Sequence, residues 1–193
     1  MEDIILKRFK ESSEVKRRFL KENLPKFLAL IKLIAQTFEA GNKIFFFGNG
    51  GSAADAQHLA AEFVNRYVID RPPLPAIALT TDASILTSVS NDISFNEIFA
   101  KQIRALGKGG DVAIGISTSG NSPNVAKAFE VAKEIGMKTV ALTGNDGGVL
   151  AKMADVSLIV SSASTPRIQE THILIGHLLC EMVEHQLFFK VTP

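Results

Sequence analysis

The sequence has few of the features that build disulfide frameworks, membrane spans or secretion signals. Its 193 residues include one cysteine, Cys180, which excludes an intrachain disulfide framework and a four-cysteine zinc site. No stretch approaches the roughly 18 consecutive apolar residues that a membrane-spanning helix needs. The first ten residues are charged and contain only a short apolar run, unlike a secretory signal. These absences predict a soluble, cytoplasmic protein that does not associate with membranes.

Net charge is also nearly absent. The chain has 21 Lys and Arg against 20 Asp and Glu, a formal net charge of +1. Broad binding to nucleic acid or to an anionic membrane needs a large cationic surface, and this balance argues against one. With 46% hydrophobic and 21% charged residues, the composition excludes a disordered chain. The length fits a single domain over 1–193 with ample material for a core.

The first forty residues have the apolar spacing of helices. Residues 2–20 carry a narrow apolar stripe among many charges, and residues 24–39 are more strongly periodic before a stop signal at Gly41-Asn42. The pattern predicts a pair of N-terminal helices over 1–40 that precedes the main fold. Packing on the same domain and packing at a subunit interface both remain open.

Beyond Gly41, short apolar runs alternate with helical periods. Five runs are typical of buried strands: Ile44–Phe47, Ala76–Leu79, Val112–Ile116, Thr139–Leu142 and Val156–Val160. The predicted helices lie near 53–67, 83–90, 95–106, 124–135, 148–153 and 167–188. This alternation predicts an α/β fold in which helices cover both faces of a parallel sheet. Ligands of such sheets bind beyond the carboxyl ends of the strands, here just after the first and third runs.

The two loops at those strand ends are rich in glycine and hydroxyl groups. Gly48–Ala53 allows a close backbone approach to a ligand, and Ser52 is placed to cap the following helix. Ser117–Pro123 contributes hydroxyls, a turn glycine and a helix start, but no lysine or arginine. A phosphate there would be held by hydroxyls, backbone amides and a helix dipole. The alternative is an ordinary Ser/Gly loop that only caps its helix.

Two nucleotide-binding motifs do not fit the first loop. Gly48–Ala53 satisfies a loose G-x-G-x-x-A fingerprint, but that motif needs an acidic residue at the end of the next strand. Asp70 has the right spacing yet lies before that strand. A Walker A loop would end in Gly-Lys-Ser or Gly-Lys-Thr, which is absent. The sequence therefore argues against a dinucleotide or P-loop site.

Two predicted helices carry a possible metal-binding set. His58 and Glu62 are four residues apart and share one helix face. Gln169 and His177 are eight residues apart on the last helix, about 80° around its axis, so both can lean toward one site. Together they form a nitrogen and oxygen donor set suited to zinc or a similar divalent ion. A surface ion pair and a satisfied core histidine are the structural alternatives.

Glu62 is the best candidate for a general base. Moving a proton between adjacent sugar carbons needs a carboxylate whose pKa can be raised by an apolar setting. His177 is placed to move a proton between the two oxygens, and a divalent ion would stabilise the developing enediolate. Asp55 lies two turns before Glu62 and is a further candidate for orienting the site.

The remaining polar residues receive structural interpretations. His172 and His185 are interpreted as surface or interface residues and not as ligands. Cys180 is interpreted as a packing residue of a buried helix. Arg66 and Arg71 are interpreted as members of solvated ion pairs, with a basic rim for a phosphorylated substrate as the alternative.

The combination of these segments resembles the phosphoheptose isomerases, enzymes of the sugar-isomerase (SIS) domain family. The similarity spans nearly the whole chain, and the combination is more specific than any single motif. It rests on Gly48-Asn49-Gly50-Gly51-Ser52, Asp55-x-x-His58-x-x-x-Glu62, Asn91-Asp92, Gly115–Ser122, Arg167-Ile168-Gln169-Glu170 and His177.

The resemblance implies a flavodoxin-like three-layer sandwich with a five-stranded parallel sheet. It implies conversion of sedoheptulose 7-phosphate to D-glycero-D-manno-heptose 7-phosphate through an enediol, for the heptose of bacterial surface lipopolysaccharide. It also implies a homotetramer with active sites at subunit interfaces and one zinc ion per subunit. The implied acid–base pair is Glu62 and His177, and the implied zinc ligands are His58, Glu62, Gln169 and His177. The expected substrate contacts, with Ser52 added from the first loop, are Asn49, Gly50, Gly51, Ser52, Glu62, Asn91, Asp92, Ser117, Thr118, Ser119, Ser122 and Gln169.

Two functions without catalysis remain as alternatives. A sister group of SIS proteins forms a tetrameric scaffold that binds the bacterial replication initiator, and Ala53–His58 and Arg104–Gly107 resemble it too. That group lacks the counterparts of Glu62 and His177, which favours the enzyme. A sugar-phosphate-sensing module would need the Ser117–Ser122 loop but no base, so turnover separates it from an isomerase.

Overall fold

Helices and strands alternate along the chain after one long N-terminal helix. The computed structural model describes residues 1–189, so the predicted domain over 1–193 includes four residues outside the described part. The helices are α1 Glu2–Glu39, α2 Gly51–Val64, α3 Ala83–Asp92, α4 Ile98–Leu106 (after a 3₁₀ turn, Phe95–Glu97), α5 Pro123–Glu134, α6 Gly148–Met153 and α7 Thr165–Phe188. The strands are β1 Ile44–Gly48, β2 Ala76–Ala78, β3 Val112–Ser117, β4 Lys138–Gly144 and β5 Val156–Val160.

The strands form one sheet in the order β2-β1-β3-β4-β5, and every pairing within residues 1–189 is parallel. This is the flavodoxin-like order. Successive side chains of a strand point to opposite faces, so each apolar run feeds two cores. Phe45 and Phe47 pack with α4 and α5, whereas Ile44 and Phe46 pack with α1, α2 and α7. The predicted three-layer α/β sandwich is confirmed.

The N-terminal segment is one helix of 38 residues, so the prediction of two helices is wrong. Pro25 lies inside α1, and its solvent-facing position leaves the carbonyl of Lys21 open to hydration, which reduces the cost of the missing N–H. The buried stripe of Val15, Phe19 and Phe27 runs past the proline without interruption. Packing against α7 and β5 therefore keeps the helix continuous, and α1 packs on its own domain.

The carboxyl ends of β1 and β3 lie side by side near the centre of the sheet. Gly48 at the end of β1 is in register with Ile116 of β3. Strand β2 lies on the other side of β1, so the strand order reverses between β1 and β3, where such sheets bind ligands. Both predicted loops therefore start at this switch point. Within residues 1–189, no helix combines the length and apolar character that crossing a bilayer requires.

Candidate active site

The loop after β3 forms a compact cluster of hydroxyl groups. Ser117 is buried at the strand end, and its Oγ lies 2.8 Å from Ser122 Oγ and 3.4 Å from Ser119 Oγ. Ser122 is the N-cap residue of α5, so the helix N-terminus points toward the same cluster. Gly120 has φ +68°, and a Cβ there would overlap the Gly147 carbonyl. Hydroxyls, loop amides and a helix end converge as anion binding requires.

The turn between β4 and α6, together with the first residues of α6, braces this loop from outside. Asn145 Nδ2 donates to the Thr118 carbonyl at 3.1 Å, and the backbone N–H of Leu150 donates to the Gly120 carbonyl at 2.9 Å. Asn121 Oδ1 accepts from the Val149 N–H at 3.1 Å. No sequence pattern indicated these bracing residues. Asn145 itself has φ +55°, a conformation that asparagine tolerates better than most residues.

A pair of amides joins the two loops. Asn49 Nδ2 donates to Asn124 Oδ1 at 2.9 Å, and Asn124 Nδ2 donates back to Asn49 Oδ1 at 2.8 Å. Asn124 is 1% exposed, so its amide has no role toward solvent. Asn49 is a predicted substrate contact, whereas Asn124 is not predicted, because its signal in the sequence is no more than a polar residue in the buried first turn of α5. The pair fixes the first loop relative to the serine loop.

A cavity of about 150 Å³ opens beside the first loop. Its lining includes Asn49 and Gly50, Leu86 of α3, and Phe95. Asn91 and Asp92 lie at the exposed end of α3, where Asn91 Nδ2 donates to Asp92 Oδ1 at 2.8 Å. Across Ala83–Asp92, all described, no residue is buried. The structure thus places this predicted pair on a surface helix next to the cavity.

The second group of predicted residues meets where α2 faces α7. His58 Nε2 and His177 Nε2 are 2.9 Å apart, and their rings meet edge to face at 67°. Glu62 Oε1 lies 3.5 Å from His58 Nε2. The side chains of His58 and Glu62 are 47% and 23% exposed, so a ligand can reach them from solvent. Three of the four donors named from the sequence are therefore neighbours.

Among the described residues, no hydrogen bond joins Gln169 to that trio. Its amide packs on Gly51, where a Cβ would come within 2.5 Å of Gln169 Nε2. Eight residues of helix separate it from His177 by about 12 Å along the axis of α7. Gln169 thus borders the first loop at Gly51. Ser52 is buried inside the first turn of α2, and the expectation that it caps this helix is wrong because Gly50 is the N-cap residue.

The donor chemistry around His58 fits a divalent cation. Two imidazole nitrogens that face each other need either a shared proton or a cation between them, and Glu62 adds an oxygen. Among residues 1–189, no three His, Cys, Asp or Glu side chains already converge as a complete metal site. The residues present suit such an ion, and binding it would require their side chains to adjust.

Asp55 faces the same region from one turn before His58 on α2. Its Oδ2 is buried and has no hydrogen-bond partner among the described residues. Burial raises the pKa of this carboxyl, although the nearby imidazoles of His58 and His177 oppose the shift. An unpaired carboxylate oxygen beside the trio is consistent with the orienting role considered for Asp55.

The other histidines differ from each other. His172 is 1% exposed, so its interpretation as a surface residue is wrong. Its Nε2–H donates to the Thr143 carbonyl at 3.0 Å, and burial lowers its pKa to about 4, which keeps it neutral. His185 is exposed and stacks on Phe189. Cys180 lies in the core as predicted, and burial raises the pKa of its thiol.

Comparison with known proteins finds relatives over nearly the whole chain. The SIS domain family model matches residues 8–144. The phosphoheptose isomerase of Thermodesulfovibrio yellowstonii is 54% identical over 188 residues, covering 97% of this chain and 94% of that protein. That of Nitratidesulfovibrio vulgaris is 52% identical over 188 residues, covering 97% and 90%.

Solved structures show that the three-dimensional fold is similar as well. The phosphoheptose isomerase of Neisseria gonorrhoeae superposes with a TM-score of 0.90 at 45% identity, covering 95% of this chain and 98% of that one. The sugar isomerase domain of an RpiR transcription factor from Sphaerobacter thermophilus, at 20% identity and a TM-score of 0.66, covers 94% of this chain and 89% of its own and shows the fold alone. The chain belongs to the SIS domain family and, within it, to the phosphoheptose isomerases.

Proposed function

We propose that the chain interconverts sedoheptulose 7-phosphate and D-glycero-D-manno-heptose 7-phosphate. The observation that carries this proposal is that one chain holds both a group of Glu62 with two imidazoles and a separate loop of hydroxyl groups. The chain is also about half identical to proteins named phosphoheptose isomerase. The hydroxyl loop suits the phosphate, and the carboxylate–imidazole group suits proton transfer at the other end of the sugar. The initiator-binding scaffold is not favoured, since it needs neither Glu62 nor His177.

The phosphate end supplies binding energy and orientation. Ser119 and Ser122 donate hydroxyl hydrogen bonds to the phosphate, while Thr118 and the loop amides complete the cradle. The first loop, with Asn49 through Ser52, lines the path of the carbon chain, and Gln169, Asn91 and Asp92 contact its hydroxyls. These contacts hold the reacting carbons against Glu62, which replaces a bimolecular encounter by a fixed geometry.

The reaction moves two protons and needs no oxidant or reductant. Glu62 removes a proton from C1 of the ketose, which gives a 1,2-enediol as electron density moves to the C2 oxygen. His177 delivers a proton to that oxygen and takes one from the C1 oxygen. Glu62 then returns its proton to C2, and the aldose forms with both residues restored.

Zinc, one ion per subunit, belongs to the same proposal. His58, Glu62, Gln169 and His177 would hold it. When bound, it would draw electron density from the two reacting oxygens and so ease removal of the C1 proton.

The proposed assembly is a cytoplasmic homotetramer with active sites at subunit interfaces, and its product serves bacterial surface heptose synthesis. Two features of the described chain support an assembly. The first turns of α1 expose Ile4, Ile5 and Phe9, and α3 has its whole length unburied. Apolar surface of this kind marks sites of protein association.

Incubation with sedoheptulose 7-phosphate in heavy water tests the proposed reaction. We expect an aldoheptose 7-phosphate that carries deuterium at C2, because an enediol route returns a solvent-exchanged proton to that carbon. An unlabelled C2 would indicate a hydride shift and would remove Glu62 from its role as base. No aldoheptose product at all would refute the proposed substrate.

A further inference from the structure

A buried ion pair lies directly behind the proposed acid–base group. Arg71 Nε and Glu184 Oε1 are 2.8 Å apart, and their side chains are 1% and 2% exposed. The interpretation of Arg71 as a solvated residue is therefore wrong. Burying two charges is costly unless further hydrogen bonds compensate, so each partner's other contacts show what the pair holds.

Glu184 fastens the segment that follows α2. Its carboxylate accepts hydrogen bonds from the backbone N–H groups of Tyr67, Val68 and Ile69 at 2.8, 3.0 and 3.3 Å. With Arg71, four donors surround one carboxylate. Since Glu184 lies two turns after His177 on the same face of α7, the segment is fastened to the helix that carries the proposed proton shuttle.

Arg71 holds the end of α2 itself. Its Nη2 donates to the Glu62 carbonyl at 2.9 Å, and its Nη1 donates to the Phe63 carbonyl at 2.7 Å. These carbonyls belong to the last turn of the helix, where no intrahelical partner is available. The guanidinium therefore fixes the backbone of the proposed base.

The ring of Tyr67 packs against the imidazole of His177. Its ring centroid is 5.6 Å from that of His177 with a 33° interplanar angle, while His58 contacts the same imidazole at 5.1 Å. The ring of His177 is thus held between two others. Its orientation depends on where the segment after α2 places Tyr67.

We infer that Asn65–Arg71, fastened by Glu184, is a positioning clamp for the acid–base pair: Arg71 sets the backbone of Glu62, and Tyr67 sets the ring of His177. The inference rests on the proposed function, because it assigns those two residues their roles. Tyr67, Arg71 and Glu184 are positioning residues that exchange no proton with the substrate. They should therefore affect kcat and leave substrate binding at the remote serine loop unchanged.

The chain contains a matched control at the opposite end of the sheet. Asp111 is fully buried, pairs with Lys43 Nζ at 2.7 Å, and accepts from the backbone N–H groups of Lys43 and Lys108, both at 3.0 Å. It is also a buried carboxylate that holds a cation and a loop, but it lies before β1 and β3, away from the site. Asp111→Asn should match the loss of stability of Glu184→Gln without its effect on turnover.

The first test compares these two variants as full chains with sedoheptulose 7-phosphate. We expect Glu184→Gln to lower kcat about tenfold to a hundredfold, the range for misplaced catalytic groups, with KM changed less than about twofold. Asp111→Asn should retain wild-type kcat. Equal kcat losses in both variants would overturn the inference, because the effect would then be general destabilisation.

Fluorescence gives a readout independent of turnover. The chain has one tyrosine and no tryptophan, so its intrinsic emission comes from Tyr67 alone. Acrylamide should quench this emission more strongly in Glu184→Gln, since the freed segment exposes the ring, and equally in Asp111→Asn and wild type. Unchanged quenching in Glu184→Gln would show that the carboxylate does not hold Tyr67.

Tyr67 variants keep the inference testable if Glu184→Gln does not fold. Tyr67→Ala should lower kcat about tenfold, and Tyr67→Phe should retain it within about twofold, because the ring and not the hydroxyl contacts His177. Phe189→Ala, which removes a ring stacked on His185 outside the site, should leave kcat unchanged. If the wild-type chain isomerises its substrate and Tyr67→Ala does so with the same kcat, the clamp is refuted. If the wild-type chain itself is inactive, the proposed function is refuted instead.

Discussion

The two ends of the candidate site are built in opposite ways. At the phosphate end, Ser117 is buried, its hydroxyl is paired, and the β4–α6 turn braces the loop from outside. At the proposed acid–base end, Arg71 holds the backbone of Glu62, but the side chains of His58 and Glu62 are partly exposed and, within residues 1–189, their polar atoms contact only each other and His177. The serine loop therefore has its hydroxyl groups arranged by the fold itself, whereas the His58–Glu62 group presents its nitrogen and oxygen donors to solvent.

This difference matches what each end is proposed to recognise. A phosphate dianion keeps its shape through the reaction, so a fixed cradle suits it, and its binding energy can hold the rest of the substrate in place. The reacting carbons and oxygens change charge during proton transfer. The groups proposed to serve them must exchange protons with the substrate, and the proposed zinc ion and neighbouring subunit would complete that end. Substitutions at the two ends should therefore change different kinetic constants.

The largest effect is expected for Glu62→Gln. The amide keeps the size of the side chain but cannot accept the C1 proton, so kcat should fall about 10²- to 10⁴-fold, the usual contribution of a general base. The measurement is steady-state turnover of sedoheptulose 7-phosphate, with the oligomeric state followed by light scattering.

Glu130→Gln is the matched control, because it removes an exposed carboxylate of α5 that pairs with Lys127 on the same helix. Wild-type kinetics are expected there, since exposed ion pairs contribute little. Undiminished turnover by Glu62→Gln would show that another group is the base, and the half-buried carboxyl of Asp55 would be the first to examine.

Removal of the proposed metal should also act at the acid–base end alone. Chelation followed by dialysis should lower kcat at least about a hundredfold, because a Lewis acid contributes several kcal/mol to charge stabilisation. Added zinc should restore it at one ion per chain, measured by elemental analysis. Binding of the substrate phosphate, followed by calorimetry, should persist without metal. Full activity in metal-free protein would contradict the assignment of His58 and Gln169 as ligands.

Features set by local sequence could be predicted well. The apolar run Val156–Val160 and the helical segment 148–153 coincide with β5 and α6, because alternation and periodicity report burial directly. The i,i+4 spacing placed His58 and Glu62 on one face for the same reason. By contrast, the apolar spacing predicts two helices where the structure has the single helix α1, because exposed positions around Pro25 weaken the apolar periodicity. The packing that keeps the helix continuous comes from α7 and β5, which lie far away in the sequence.

Contacts between distant segments could not be predicted. Asn49 and Asn124 are 75 residues apart, and Arg71 and Glu184 are 113 apart, so no period connects them. His172 was misassigned because a buried imidazole and an exposed one look alike in sequence, and the deciding partner is a carbonyl of β4. These partners depend on the three-dimensional arrangement of the sheet.

The phosphate end is tested by Ser119→Ala combined with Ser122→Ala. Each lost hydrogen bond to a charged group costs about 1.5–3 kcal/mol, so the loss of both should raise KM about a hundredfold or more while kcat changes little. Inorganic phosphate should also lose potency as a competitive inhibitor. Ser157→Ala on the edge strand β5, which removes a hydroxyl that donates to the Ala151 carbonyl of α6, is the control and should leave KM unchanged. An unchanged KM in the double variant would refute the phosphate assignment.

The smallest effect should come from the amide pair that joins the two loops. Asn124→Ala frees Asn49 from its partner, and KM should rise about threefold to tenfold, in line with about 1 kcal/mol for one net hydrogen bond. In an Asn49→Ala background the same change should have almost no further effect on KM, because the pair is already broken. Asn23→Ala removes another buried amide, bonded to Phe19 and Ile159, and should lower the melting temperature without changing KM. If the effects of Asn49→Ala and Asn124→Ala on KM simply added, the amides would act independently, and the two loops would hold their spacing by other contacts.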